Sequence, residues 1–167
     1  MRIFLIGYMA SGKSKTGEQL ASLLGYPLED TDAVVVKNEG RSIVEIFSDS
    51  GEEAFRQMER NALQATFKKK NIVVSTGGGL PCSGDNMQQM NEQGVTVYLE
   101  ANAGLLFHRL LQSRKGRPLL ENLSDVELME KINAHLAERT PYYEQAKIKV
   151  PAASLNVKKL AAQIQAL

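Results

Sequence analysis

The sequence predicts a three-layer α/β sandwich built on a five-stranded parallel sheet. Three observations lead there. Five short, apolar, β-rich runs recur along the 167 residues. Longer segments with apolar residues at i, i+3, i+4 and i+7 separate them. Strands that alternate in this way with helices pair in parallel through helical crossovers. A chain of this length is expected to form one domain, residues 1–167, with a sizeable core.

Residues 2–6 form the first strand candidate, ended by Gly7. A helical stripe follows at Gly17, Leu20, Ala21 and Leu24, with Gly25 at a C-cap position. Residues 26–30 read as a second strand. Residues 42–47 read as a short helix and residues 51–70 as a longer one. That longer helix opens on Glu52 and Glu53 and closes on Lys68, Lys69 and Lys70, the charge order favoured by the helix dipole. The third strand, residues 72–75, runs into Gly77-Gly78-Gly79. A helix over 85–93, a strand over 95–99 and a helix over 103–111 come next. Residues 113–122 are polar, basic and broken by Gly116 and Pro118, which predicts a mobile loop. Val126, Met129, Ile132 and Leu136 mark a helix over 125–139. A last strand over 148–150 precedes a helix with Val157, Leu160, Ala161 and Ile164 on one face.

Composition narrows the function classes. Hydrophobic residues make up 43% and charged residues 23%, and the net charge is +1. No general attraction to nucleic acid or to an anionic membrane follows, so any bound anion needs a local set of donors. The single cysteine, Cys82, excludes an intrachain disulfide and suits a reducing compartment. No stretch is long enough to span a bilayer, and the apolar start is read as a buried strand rather than a signal segment. The expectation is a cytoplasmic protein.

Gly7-Tyr-Met-Ala-Ser-Gly12-Lys13-Ser14 fits G-x-x-x-x-G-K-[ST], with a strand before it and an amphipathic helix after. The glycines let the backbone curl so that successive N–H groups surround phosphate oxygens at a helix N-terminus. Lys13 has the reach for β- and γ-phosphates, and the Ser14 hydroxyl suits Mg²⁺. A guanine-reading N-K-x-D is absent from the sequence, and a motor ATPase needs a longer chain. A small kinase remains.

The acceptor side must come from elsewhere. In an extended segment Asp30 and Asp32 would point the same way, so both carboxylates could face the phosphates; an N-cap for a following helix is the competing reading. Arg56 and Glu59 are i, i+3 neighbours on a helix, either a guanidinium oriented by its partner or a solvated ion pair. Gly77, Gly78 and Gly79 exceed what a turn requires and favour close approach of a ligand. Arg117, in Arg114-Lys-Gly-Arg-Pro118, could be brought over transferring phosphate by a closing segment, or simply be solvated. Arg139 closes a helix, where a cation also suits the dipole. Cys82, His108 and His135 are read as turn and packing residues, and no structural metal is assigned.

These segments together resemble the shikimate kinases. The likeness runs through nearly the whole chain in GYMASGKS at 7–14, DTD at 30–32, GRSIVEIF at 40–47, GEEAFRQME at 51–59, STGGG at 75–79, GRPLL at 116–120 and ERTPYY at 138–143. The resemblance implies a nucleoside-monophosphate-kinase-like P-loop fold, with a substrate-binding region over about 32–60 and a lid over about 112–124. It implies transfer of the γ-phosphate of ATP to the 3-hydroxyl of shikimate, a step of aromatic amino-acid biosynthesis, with Mg²⁺ as the accompanying ion. By their places in these motifs, Asp32 holds the acceptor hydroxyls and takes the proton, and Lys13 and Arg117 serve the transferred phosphoryl group. Ser14 and Asp30 attend the metal. Arg56 and Arg139 grip the shikimate carboxylate beside Gly77, Gly78 and Gly79. Ala10, Ser11, Gly12, Lys13, Ser14 and Lys15 wrap the ATP phosphates, Arg109 stacks near adenine, and Arg117 reaches over the nucleotide.

Two positions and one segment depart from the family pattern. Ala10 stands where Gly is usual, Lys15 where Thr is frequent, and residues 151–156 match the adenine-contacting segment poorly. A related kinase for another polyhydroxy acid, such as gluconate, is the alternative. The expected partners are ATP and shikimate alone, with no nucleic acid and no membrane, on a monomer.

Overall fold

Arg2-Ile-Phe-Leu-Ile6 is apolar at four of five positions, more than a strand with one wet face requires. Such a run belongs in the middle of a parallel sheet covered on both sides. The structure, a computed structural model, describes residues 1–113 and 118–167. In it β1 (Arg2–Ile6) is the central strand. The others are β2 (Leu28–Asp30), β3 (Ile72–Ser75), β4 (Val95–Glu100) and β5 (Ile148–Pro151). Their order is β2-β3-β1-β4-β5, and every pairing is parallel. The predicted sheet is the observed one.

The helices are α1 (Lys13–Leu24), α2 (Thr31–Glu39), α3 (Ile43–Thr66), α4 (Asn86–Gln93), α5 (Ala103–Gln112), α6 (Pro118–Glu121), α7 (Asp125–Tyr143) and α8 (Val157–Gln165). Alternation along β1 sorts its side chains into two cores. Ile3 and Leu5 pack with Leu20 of α1 and Leu160 and Ile164 of α8. Phe4 and Ile6 pack with Leu63 of α3, Met87 and Met90 of α4 and Tyr143 of α7. A period of two on one strand thus produces three layers. Each of these four side chains is fully buried, a contribution of about 1.5–3 kcal/mol apiece.

Several boundaries differ from the sequence expectations. The second strand is only Leu28–Asp30, because α2 begins at once; Asp30 caps it, with Oδ1 accepting from the amides of Asp32 at 2.9 Å and Ala33 at 3.2 Å. The helices expected over 42–47 and 51–70 run end to end as α3, and the expected break between them is kept at Gly51, whose φ of 82° and ψ of 174° interrupt the helical backbone. Ser42 and Glu45 close a reciprocal capping box at its start. The helix ends at Thr66, so Lys68, Lys69 and Lys70 lie beyond it. Part of the expected loop over 113–122 is helical, as α6. Finally, α7 continues to Tyr143 with Pro141 inside it, so Arg139 sits a turn before the end and not at it. Among the described residues no helix is long and apolar enough to cross a membrane.

The register aligns Leu5, Ser75 and Asp30 across three adjacent strands. The segments that follow them, Ile6-Gly7, Thr76-Gly77 and Thr31-Asp32, therefore emerge side by side. They leave the carboxyl ends of the strands, where parallel sheets form ligand crevices.

Candidate active site

The loop between β1 and α1 reverses direction through Gly7 (φ 144°) and Gly12 (φ 101°), conformations that side chains with a Cβ disfavour. It borders a cleft of about 810 Å³. Residues 9–16 line this cleft, together with Asp30, Asp32, Gly77, Gly78 and Arg109. The six predicted phosphate-loop residues are thus gathered on one wall. Lys13 is buried, and its ammonium donates to the carbonyls of Gly7 at 2.8 Å and Tyr8 at 2.9 Å. Among the described residues the buried Ser11 hydroxyl oxygen finds no hydrogen-bond partner. Arg109, from α5, donates from Nη1 to the Ala10 carbonyl at 3.0 Å, bracing the loop from the side.

Asp30 and Asp32 both border the cleft, but for a different reason from the one the extended reading gave. Asp30 ends the strand and Asp32 lies in the first turn of α2. Asp30 is both an N-cap and a cleft residue. Thr31 between them is fully buried, and its Oγ1 accepts from the Gly77 amide at 3.0 Å, tying this corner to the glycine run.

Around Gly77-Gly78-Gly79 the charged side chains converge. A Cβ on Gly77 would stand 2.5 Å from Glu59 Oε1 and 2.7 Å from Asp32 Oδ1. One on Gly78 would meet Arg139 Nη1 at 3.3 Å, and one on Gly79 the Arg56 guanidinium at 2.6 Å. Protein side chains crowd Gly77 and Gly79 closely and Gly78 more loosely, so the glycine run makes room for these groups as well as for any ligand expected there. Arg56 and Arg139 stand against the glycine run rather than among the residues lining the cleft. The sequence pair Arg56–Glu59 is real: Nη1 donates to Oε2 at 2.5 Å, with Glu59 almost fully buried. Burial raises the Glu59 carboxyl from its ordinary 4.5 to about 7, against the opposing pull of Arg56. Burial, helped by Asp30, also raises Asp32, while Lys13 and Arg56 act the other way. Among the described residues the buried Asp32 Oδ1 finds no hydrogen-bond partner.

Some contributors left little trace in the sequence. Tyr143 is fully buried and its hydroxyl donates to the Gly78 carbonyl at 2.6 Å. The second tyrosine of the Pro141-Tyr-Tyr run was its only signal, and a proline argues against the helix that carries it there. Ala152, Leu155 and Val157 line the far end of the cleft, so the segment that departs from the family pattern still borders it. Cys82 lies in a short 3₁₀ turn after the glycines, its thiol pushed up to about 11 by burial. Among the described residues no cluster of His, Cys, Asp and Glu could hold a metal unaided. Arg117 lies outside the described residues.

The family model described as shikimate kinase matches residues 9–167. The chain belongs to the shikimate kinase family. A shikimate kinase of Bacteroides thetaiotaomicron is 42% identical over 146 residues, 87% of this chain and 83% of that one. The crystal structure of a shikimate kinase from the same organism superposes with a TM-score of 0.92 at 38% identity, covering 99% of this chain and 97% of its own. A shikimate kinase from Acinetobacter baumannii, solved in complex with shikimate, gives a TM-score of 0.85 at 32% identity, over 98% of this chain and 90% of that one. A gluconokinase from Sinorhizobium meliloti, at 18% identity and a TM-score of 0.54, shares the fold alone. As a shikimate kinase family member the protein is an ATP-using P-loop kinase.

Proposed function

We propose that the protein transfers the γ-phosphoryl group of ATP to the 3-hydroxyl of shikimate, giving shikimate 3-phosphate and ADP. The observation that carries this reading is Asp32 Oδ1, buried and without a partner among the described residues, beside the phosphate loop and the Arg56–Glu59 pair. A carboxylate oxygen in that state is matched to a substrate hydroxyl, because an unmade bond there costs about 1–3 kcal/mol.

The roles follow from the chemistry of each group. Arg56 and Arg139 hold the planar carboxylate, since guanidinium forks fix orientation as well as charge. Backbone groups of Gly78 and Gly79 contact the same substrate. Asp32 orients the acceptor hydroxyl and takes its proton as that oxygen forms its bond to the γ-phosphorus. The bond from the γ-phosphorus to the ADP oxygen breaks in the same displacement. Lys13 and the amides of residues 10–15 carry the phosphate charge, with Arg117 over the transferred group and Arg109 beside the base. Ser14 and Asp30 offer the hard oxygens that Mg²⁺ takes, with the Asp30 cap bonds both falling on Oδ1. Bound there, the ion would neutralise charge on the β- and γ-phosphates. Residues of about 32–60 form the acceptor side and about 112–124 a lid. We take the protein to be a cytoplasmic monomer, as its single cysteine and small size suggest.

A coupled assay with ATP and Mg²⁺ tests this against a panel of shikimate, gluconate and nucleoside monophosphates. Turnover is expected with shikimate alone. Preferential turnover of gluconate would transfer the acceptor site to the alternative reading.

A further inference from the structure

Tyr8 occupies a position that the phosphate-loop motif leaves unspecified, yet it is buried. Its backbone and its ring face different parts of the site. The carbonyl accepts from Lys13 Nζ at 2.9 Å, on the donor side. The ring lies beneath the guanidinium of Arg139, whose central carbon is 5.5 Å from the ring centroid. One residue therefore touches both the lysine of the phosphate loop and an arginine assigned to the acceptor.

The ring is itself held in place. Its hydroxyl is 2.8 Å from His135 Nδ1, and the two rings lie 5.8 Å apart, tilted by 49°. His135 and Arg139 are four residues apart on α7, so they share a face and stand one turn from each other. Tyr8 belongs to one buried apolar cluster with Leu106 and Leu110 of α5 and Leu128 and Ile132 of α7. Burial and the nearby cations Arg139 and Lys131 hold His135 below its ordinary value, which favours a neutral imidazole whose Nδ1 shares the hydrogen bond with the Tyr8 hydroxyl. A guanidinium stacked on an aromatic face keeps its in-plane N–H groups for a carboxylate.

We propose that Tyr8 and His135 are positioning residues for Arg139: the ring supports the guanidinium from below, and the histidine pins the ring. The proposal rests on the reading of Arg139 as a holder of the acceptor carboxylate. It deepens that reading by naming what orients the arginine. A ring that merely filled the core would affect stability without separating the two substrates.

The test measures KM for shikimate and for ATP, kcat and melting temperature in four variants and one double variant. Tyr8→Leu removes the aromatic support and is expected to raise the shikimate KM about tenfold, with the ATP KM within about twofold. Tyr8→Phe keeps the ring but loses the pin, and is expected to raise the shikimate KM only about threefold. His135→Ala breaks the same bond and should match it, and the Tyr8→Phe/His135→Ala double variant should be no worse than either single change. Arg139→Ala is the control for the underlying reading and should raise the shikimate KM most of all. If Arg139→Ala leaves that KM unchanged, the acceptor reading fails and the proposal with it. If Arg139→Ala raises it but the Tyr8 and His135 variants leave it unchanged, or act on the ATP KM instead, the positioning proposal alone is overturned. Should Tyr8→Leu not fold, the Tyr8→Phe and His135→Ala cycle decides, and fully additive effects would refute the pin.

Discussion

The guanidinium of Arg56 rests 2.6 Å from the point where a Cβ on Gly79 would stand. That is closer than any real side-chain carbon tolerates, so the glycine and the arginine specify each other. Gly79 has φ −87° and ψ −13°, a backbone open to any residue. The need for glycine is one of space. Gly79→Ala is therefore expected to displace Arg56 without straining the loop. We expect a shikimate KM at least tenfold higher, an ATP KM within about twofold, and an unchanged far-UV spectrum. An unaltered shikimate KM would separate Arg56 from the acceptor.

Glu59 supplies a pH dependence of known sign. Its carboxyl is raised from 4.5 to about 7 by burial, so between those values the folded protein holds a proton that the unfolded chain has released. Stability contributed by this group is complete below about 4.5 and is lost as the pH rises through about 7. At about 1.4 kcal/mol per pKa unit the loss is at most about 3 kcal/mol. Glu59→Gln cannot titrate. Denaturant unfolding at pH 5 and pH 8 should show the native protein losing stability relative to this variant as the pH rises. Parallel profiles would mean that Arg56 keeps Glu59 ionised throughout.

The sheet and the phosphate loop were legible because their signals are local: a period of two, a period near 3.6, and glycines at set spacing. Gly25 was read as a C-cap and is one, in the left-handed conformation. The helix α2 was legible only as the competing reading of the aspartates, an N-cap for a following helix. Val34, Val35 and Val36 are poor helix formers, and the segment forms a helix through the Asp30 cap, a closing Gly40 and packing of Val35 against Ile46 and Phe55. The acceptor corner was readable as a set of residue types but not as a set of contacts. Arg56, Glu59, Asp32 and Arg139 come from three helices, and only the folded chain reveals that the glycine run makes room for them. Tyr143 and His135 act through groups remote in sequence, which no spacing rule reports.

Among the described residues Ala10 is one of two non-glycine residues with positive φ, at 63°. Left-handed backbone costs an L-residue about 1–2 kcal/mol, while glycine costs about 0.5–1 kcal/mol in lost chain entropy. Ala10→Gly should therefore stabilise the protein by about 0.5–1 kcal/mol, raising Tm by about 2–3 °C. The Ala10 carbonyl that accepts from Arg109 is unchanged by the substitution, so the loop should keep its brace. A lower Tm for the variant would show that the alanine methyl contributes packing that outweighs its strain.

Asp32 separates binding from chemistry. Replacing it with asparagine keeps the size of the side chain and its place in the first turn of α2 but removes its basicity. General-base catalysis contributes about 10²–10⁴ in rate, so Asp32→Asn should lower kcat at least a hundredfold while the melting temperature holds or rises. A rise would have its own cause, since burial and the neighbouring Asp30 both oppose the charge on Asp32 in the folded protein. The same two influences lift its titration above the ordinary aspartate value, against the pull of Lys13 and Arg56. In the native enzyme kcat/KM should then fall on the acid side at a pH above 3.8, and residual activity of Asp32→Asn should lack that limb. If the limb persists in the variant, another group takes the proton, and the buried oxygen at Oδ1 serves only to orient the acceptor.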